Sequence, residues 1–432
     1  MDLSFPTSTS VNDGIPKNLY FGEPYKLRYP SIDNLINLIN SSGPECLLFK
    51  CDIQRCYRWI PVDPRDFHLL GITWRGSIFI DTKLPFGLRS SAMACQRCTN
   101  ALMYIYRQTG HNAVNYIDDF AGATSPETAQ NAYETLTNTI TKYGFRLADR
   151  KCVAPTKCLT FLGKEFNTSS MTISIPEEKL RETDSILHQF SARKKCRQRE
   201  LQSLVGKLVF IAECVRSARL FITRILQLLR TVRSKHHRIY LNKNFHKDIR
   251  WWIVSMRSYN GVSMIPNTDW SSADQLSTDA CLTGCGAWLQ QPGTTNATYF
   301  HVTFPTNWVG SNIASLELLT ILVALRAFGN SLAGQRLVIN CDNDASVSVL
   351  NTGAGRDPTL MSIARNIWLE CANINMQIKA THIPGIKNSI ADSLSRWHLG
   401  PQHSFNFNKL THNIAVKEIT IDDSDFKLNN DI

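Results

Sequence analysis

Residues 113–122 read Ala-Val-Asn-Tyr-Ile-Asp-Asp-Phe-Ala-Gly. The apolar residues on both sides predict a β-hairpin with Asp118 and Asp119 near its tip. Adjacent carboxylates among apolar neighbours are costly unless cations pair with them. Upstream, the run from Cys46 to Ile60 opens as an apolar strand that leads into Asp52. Acids at strand ends suit two Mg²⁺ ions roughly 3.5–4 Å apart, which can activate a hydroxyl and stabilise a leaving oxygen in nucleotidyl transfer. A bare Asp-Asp pair is more often an exposed turn. The aromatic flanks and the second acid-ended strand favour the metal reading.

Working outward, residues 1–50 are rich in Pro, Gly, Ser and Asn. Residues 71–83 alternate around Arg75-Gly76 and predict another hairpin. Residues 90–107 read as a helix, as do 126–143 with Ser125 as N-cap. Short strands are expected around 158–166 and 171–175. Pro176-Glu177-Glu178 marks a helix start. Leu201, Leu204, Val205, Leu208, Ala212 and Val215 then recur at helical spacing, and a second helix is expected over about 217–232. The turn-rich stretch 260–275 reads as a linker. A fresh α/β pattern follows, with strands at 275–280, 285–290, 297–304, 336–341 and 375–381. Its helices are expected at about 312–328, 344–351, 358–373 and 388–396. The tail from 400 lacks apolar periodicity and is expected to be disordered. No internal repeat is found.

The composition of the 432 residues, 43% apolar and 19% charged, is that of a globular chain with real cores. No uninterrupted apolar run reaches the roughly 18 residues of a membrane span, and Lys207 and Glu317 break the best candidates. The N-terminus has neither a basic region nor an apolar core of a signal peptide, and the 13 cysteines are scattered. The expectation is an intracellular protein with reduced thiols, cytoplasmic, nuclear or both, and no membrane partner. The net charge is +11, and residues 179–250 alone carry 18 basic and 5 acidic residues. Such concentration can be a solvated helical face. Lying between two acidic constellations, it points instead to a polyanion. Within it, Arg216, Arg219 and Arg230 are candidate phosphate contacts.

The second constellation lies beyond the linker. Asp279, Glu317, Asp342 and Asp392 each fall at the end or on the face of an expected core element. Two-metal phosphodiester hydrolysis explains four such acids better than chance exposure does. Cys95 and Cys98 lie within a helix with no second pair at finger spacing, so zinc is not expected there. Cys281 and Cys285 read as small hydrophobes in or near a strand.

Tyr116-Ile117-Asp118-Asp119-Phe120 resembles the Tyr-x-Asp-Asp box of reverse transcriptases. Leu84-Pro85-Phe86-Gly87-Leu88 is similar to their Leu-Pro-x-Gly box, Phe161-Leu162-Gly163 to the strand after the palm, and Gly144-Phe145 through Lys151-Cys152 to the segment before it. The resemblance implies that Asp52, Asp118 and Asp119 bind the metals, with Ile53 offering a backbone carbonyl. It implies that Tyr57 excludes a ribose 2′-hydroxyl, that Phe86 and Gly87 line the nucleotide pocket, and that Lys151 serves as proton donor or pyrophosphate stabiliser. A core tyrosine and an exposed structural lysine are the alternatives for Tyr57 and Lys151. Met1-Asp2-Leu3-Ser4 resembles a box that ends a fingers strand, so the fingers are expected to be N-terminally truncated and polymerisation correspondingly weak.

The later segment resembles ribonuclease H, whose acids follow the order Asp279, Glu317, Asp342, Asp392. His382, in His382-Ile383-Pro384-Gly385, falls where that family has its mobile catalytic histidine. With Ser10-Val11-Asn12-Asp13-Gly14-Ile15-Pro16, these features resemble DIRS-type (tyrosine-recombinase) retrotransposon polyproteins. Gypsy-type elements and pararetroviruses share several of the boxes. The resemblance implies an α+β and α/β multidomain chain, a right-hand polymerase followed by a ribonuclease H-like α/β domain. Fingers and palm would span 1–178, a basic helical thumb and connection 179–268, and ribonuclease H 269–398, with the tail at 399–432. It implies an RNA- and DNA-directed DNA polymerase with ribonuclease H activity, using Mg²⁺, with Mn²⁺ as substitute. The partners would be RNA template, DNA primer, RNA–DNA hybrid and dNTPs. The competing readings are a decayed or domesticated nucleic-acid-binding relic, and a chain in which only ribonuclease H works.

Overall fold

The computed structural model describes residues 2–429 except 18, 21, 25, 216, 217, 219, 232–237, 265–269, 271, 272, 292, 354, 356 and 375. The chain forms two compact units, one of residues 1–176 with a short strand at 262–263, the other of the remaining chain from 177.

The first unit begins with β1 (Leu19–Tyr20), β2 (Glu23–Pro24) and α1 (Ile32–Ser42), whose N-terminus is closed by a reciprocal Ser31–Asn34 capping box. Next come β3 (Leu47–Asp52), the hairpin β4 (Gly71–Trp74) and β5 (Ser77–Ile80), α2 (Ser91–Arg107), β6 (Ala113–Tyr116), β7 (Asp119–Thr124) and α3 (Pro126–Lys142). The unit continues with β8 (Val153–Thr156), β9 (Cys158–Phe161), β10 (Lys164–Asn167) and β11 (Thr172–Ser174). Strands β6-β7-β3-β8 make one antiparallel sheet, and helices α1, α2 and α3 pack with it. Alternation places Phe49 and Cys51 in its core beside Phe120, Met103 and Leu136.

Two local expectations are corrected in this unit. The stretch 158–166 is not one strand. Leu162 and Gly163 both take positive φ, +47° and +76°, and turn β9 back onto β10, as a tight two-residue hairpin requires. Ser125 does stand at the N-cap of α3, but its side chain makes no capping bond, and Pro126 opens the helix.

The second unit contains α4 (Glu177–Ser191), β12 (Lys195–Arg197), α5 (Gln198–Ile211), α6 (Leu220–Arg230), β13 (Arg238–Tyr240) and α7 (Lys243–Ser255). Strand β14 (Val262–Ser263) pairs with β11 in the first unit's second sheet. The second unit continues with β15 (Asp274–Ala280), β16 (Gly284–Gln290), β17 (Asn296–Thr303), α8 (Ile313–Leu332), β18 (Arg336–Cys341), α9 (Asp344–Thr352), α10 (Pro358–Asn373), β19 (Gln377–His382), α11 (Ser389–Ser395), α12 (Pro401–Leu410) and β20 (Ala415–Glu418). Its main sheet runs β19-β18-β15-β16-β17-β20. Strands β15, β16 and β17 are antiparallel neighbours, while β18 and β19 run parallel to β15. Helix α8 is apolar nearly all round and correspondingly buried. Among the described residues, no helix is long and apolar enough to cross a membrane.

Two larger expectations are also corrected. The tail is ordered: β20 adds a parallel sixth strand beside β17, and Phe407 and Phe426 are buried. Single aromatic anchors hold it, too few to give a periodic signal. The segment expected as thumb and connection, 179–268, is not a separate compact unit from 269–398. Helices α6 and α7 join α10 through buried charges: Arg224 Nη1 lies 3.0 Å from Asp248 Oδ1, and the buried Arg365 reaches the Leu220 carbonyl at 3.4 Å and the Phe221 ring. Helix α7 and the β12–β13 pair were not anticipated, because the basic residues on them mask their apolar positions.

Candidate active sites

Strand register assembles the first site. Asp52 and Asp119 are direct partners across β3 and β7, and the Ile53 N–H donates to the Asp118 carbonyl at 2.9 Å. Asp118 therefore hangs in the turn beside the pair. Ile117 in that turn has φ +54°, unusual for a β-branched residue. Its N–H donates to the side-chain oxygen of buried Gln96 at 2.7 Å, and Gln96 Nε2 also reaches the Asn115 carbonyl. Helix α2 thus holds the acidic turn in its strained shape.

Two lysines balance part of the charge. Lys50 Nζ lies 3.1 Å from Asp119 Oδ1, and Lys151 Nζ lies 3.1 Å from Asp52 Oδ2. Burial, with Asp52 adding to it, raises the Asp118 carboxyl above the usual carboxylate range. Burial also raises Asp119, against the pull of Lys50. Three hard oxygen donors with incomplete compensation fit a divalent cation.

Beside the acids, the half-buried Tyr57 meets exposed Phe86 edge to face at 5.2 Å. Burial, with Cys95 and Asp118 adding, pushes the Tyr57 phenol up to about 12. Gly87 has φ +86°. Asn12 pins this loop, donating to the Gly87 carbonyl at 2.8 Å and accepting the Arg89 N–H at 2.7 Å. Sequence reasoning quoted the segment around Asn12 without giving it a task, and it missed Lys50 and Gln96. Lys50 had one signal, its position two residues before Asp52 on an alternating strand. Gln96 had none, because its partners lie elsewhere in the chain.

The second site gathers its acids from four elements. Asp279 is near the end of β15, Glu317 on α8, Asp342 just past β18 and Asp392 on α11. Asp279 and Glu317 are buried. Burial pushes Glu317 up to about 9, with Asp279 and Asp342 adding to it. Burial likewise pushes Asp279 up to about 7, with the Ser395 hydroxyl bond opposing. The Ala280 N–H donates to Glu317 Oε1 at 3.3 Å, and Arg396 Nε binds Asp392 Oδ1 at 2.7 Å. Asn388 Nδ2 donates to the Thr278 carbonyl at 2.9 Å, tying the start of α11 to β15. Asn343 caps α9 by accepting the Ser346 N–H at 3.0 Å, which sets the turn that carries Asp342. The donor set again fits a divalent cation. His382 ends β19, partly exposed, with Nε2 3.2 Å from the Asp342 carbonyl oxygen. Sequence reasoning quoted Asn388 between His382 and Asp392 without giving it a task, and it missed Ser395 and Arg396. Of the three candidate phosphate contacts, Arg230 is the exposed last residue of α6, and Arg216 and Arg219 lie outside the described residues.

Residues 9–166 match the family model described as reverse transcriptase (RNA-dependent DNA polymerase). Among solved structures, the chain resembles a foamy viral protease-reverse transcriptase bound to double-stranded DNA, at 16% identity and a TM-score of 0.52, over 87% of this chain and 62% of that one. It also resembles a foamy viral protease-reverse transcriptase bound to an RNA/DNA hybrid, at 16% identity and a TM-score of 0.50, over 86% of this chain and 47% of that one. This chain thus spans about half to three-fifths of those two relatives. The likeness shows a shared fold. No curated protein matches the sequence.

Proposed function

We propose that this chain, whose residues 9–166 match the reverse transcriptase family model, is an RNA- and DNA-directed DNA polymerase that also cleaves the RNA of RNA–DNA hybrids, from a DIRS-type retrotransposon. The observation that carries the reading is the presence of two carboxylate clusters, Asp52–Asp118–Asp119 and Asp279–Glu317–Asp342–Asp392. In each, burial raises acids that the nearby cations do not fully offset. Bound at either cluster, Mg²⁺ would supply Lewis-acid activation of the attacking oxygen and neutralise the leaving one.

The chain's own residues do the rest. Asp52, Asp118 and Asp119 would hold the cation, and Lys151 trims their charge by pairing with Asp52. Tyr57 and Phe86 form an aromatic wall against the sugar of a dNTP, and Gly87 leaves its backbone open beside it. Template RNA, primer DNA and the hybrid product are the partners, as an RNA/DNA hybrid is of one fold relative. In the second cluster, Asp279 and Glu317 sit deepest. His382 lies at the rim beside Asp342 and would carry protons for the leaving strand.

Primer extension and hybrid cleavage by two variants test this. Asp118→Asn should abolish dNTP incorporation on a primed RNA template and leave hybrid binding nearly intact. Glu317→Gln should stop RNA cleavage and leave extension running. Wild-type extension by the first variant, or wild-type cleavage by the second, removes the corresponding activity from the proposal.

A further inference from the structure

Two thiols face each other across the pairing of β3 with β8. The register sets Lys50 opposite Val153, so Cys51 stands opposite Cys152, the residue just before β8. Residues opposite each other in an antiparallel pair share one face of the sheet, with Cα atoms roughly 4.5–5.5 Å apart. A disulfide spans roughly 4.4–6.8 Å between Cα atoms, so this pairing fits one without large backbone movement. Cys152 packs against the apolar cluster that contains Cys51, and the Cys51 thiol donates to the Cys152 sulfur.

Access sets this pair apart from the other close thiols. Cys51 is fully buried, whereas Cys152 is only partly covered. Cys56 and Cys95 are also hydrogen-bonded to each other, but both are buried. A small oxidant therefore meets Cys152 first and finds Cys51 beside it. The pair also adjoins the Lys151–Asp52 ion pair, in which Nζ lies 3.1 Å from Oδ2. Cys51 directly precedes Asp52 and Cys152 directly follows Lys151. The Ala148 N–H donates to the Asp52 carbonyl at 2.8 Å, and the Cys152 N–H to the Ala148 carbonyl at 3.2 Å. These bonds hold the two chain segments together on the reduced side of the reaction.

We propose that Cys51 and Cys152 are a reversible disulfide site, closed by hydrogen peroxide and opened by a dithiol, that couples oxidation to the first acidic site. The Cys152 sulfur takes one oxygen as the O–O bond breaks, giving a sulfenic acid, and the first water leaves with the thiol proton. The Cys51 sulfur then displaces the sulfenic oxygen, which leaves as the second water with the Cys51 proton. Each sulfur loses one electron and the peroxide gains both. Closing the bond draws the sulfurs from hydrogen-bond to covalent distance and shifts the adjoining Asp52 and Lys151. The coupling rests on the proposed polymerase function, and the disulfide does not.

The test treats the reduced full chain with hydrogen peroxide, blocks the remaining thiols and maps tryptic peptides by mass. Cleavage after Lys50, Arg55, Lys151 and Lys157 puts Cys51 and Cys152 alone in peptides 51–55 and 152–157. The expected product is these two peptides joined, separated again by dithiothreitol and not formed in Cys152→Ser. Absence of the joined peptide, or linkage of Cys56 to Cys95 in its place, overturns the site, and this readout on the wild-type chain needs no variant to fold. Primer extension is measured on the same samples. Wild-type extension should drop at least about tenfold on oxidation, as expected of a displaced catalytic group, and return with dithiothreitol, whereas Cys152→Ser should keep its own untreated rate. An equal drop in Cys152→Ser, or no drop in the linked wild type, overturns the coupling. If the reduced wild-type chain extends no primer, the polymerase reading and the coupling fall together, and the joined peptide alone decides the disulfide.

Discussion

Ile117 holds a left-handed backbone at φ +54°, and a conformation of this kind costs a residue on the order of 1–3 kcal/mol. The Gln96 side chain accepts the Ile117 N–H, and the Asp52–Asp119 register closes the same turn. Tyr57 shows a similar division between local and distant causes, since its ring rests on Phe86 from another loop. If Tyr57 is the proposed wall against the sugar, Tyr57→Ala should raise ribonucleotide incorporation, measured as the ratio of rNTP to dNTP extension. An unchanged ratio takes Tyr57 out of sugar selection. The acids of the second site carry a pH signature. Asp279 rises from 3.8 to about 7 and Glu317 from 4.5 to about 9. Raised carboxyls keep their protons in the folded state where the unfolded chain has lost them. Their stabilising effect is present at low pH and fades as pH climbs through the folded values. With a chelator present, the melting temperature of the second unit should therefore fall from about pH 5 to about pH 9, and added Mg²⁺ should lessen the fall. A flat profile with chelator would show that these carboxyls titrate normally.

Elements meet where side chains are absent. Gly286 on β16 lies under α11, and a Cβ there would come within 2.3 Å of Leu394 Cβ. Gly284 makes the same allowance for His398 and the Ser395 carbonyl. These two glycines let α11 sit low enough for Ser395 to reach Asp279 and for Asn388 to reach Thr278. Gly286→Ala should push α11 outward, carrying Asp392 with it. Misplacement of about 1 Å can cost on the order of a hundredfold in rate, so hybrid cleavage should drop steeply while primer extension stays at the wild-type level. Equal loss of both activities would point to global unfolding instead. In the first unit, Gly122 faces Phe49 across the β3–β7 ladder, and the Phe49 ring fills the space a Cβ would take. The α/β pattern from 275 onward was legible because its strands and helices are strongly apolar on defined faces. The β9–β10 turn was not, because Leu162 gives no turn signal and Gly163 alone fits a bulge as well.

Across the whole molecule, the basic block is less uniform than its count suggests. Arg224 is spent on Asp248 inside the second unit, and Arg193 and Lys207 pair with Glu200 and Glu182. Arg230 stands exposed at the end of α6. Replacing Arg216, Arg219 and Arg230 together with Gln should flatten the salt dependence of hybrid affinity by up to about three units of slope. An unchanged slope would show that these arginines do not meet phosphate. Aspartate 248 itself is raised by burial to about 7, while burial lowers Arg365 to about 10. Both shifts say that the charges joining α6, α7 and α10 are costly to bury and are held by the packing around them.

The sequence by itself offered the chemistry: seven acids in order, an aromatic beside the first of them, and periodicities that set each acid on, at the end of, or in the turn beside an apolar element. Those are local properties, since which face of a strand or helix is buried follows from spacing within a few residues. Tertiary structure decided the partners. Lys151 reaches Asp52 from 99 positions away, Ser395 reaches Asp279 from 116, and the tail reaches the sheet only because β20 finds the edge of β17. Cys341 lies next to Asp342 in the chain, yet only the packing of α8 against β18 brings its sulfur to Glu317. Pairings of this kind depend on register and on helix placement, which hydrophobic spacing leaves open, so a residue's neighbour across the fold cannot be read from its neighbours along the chain.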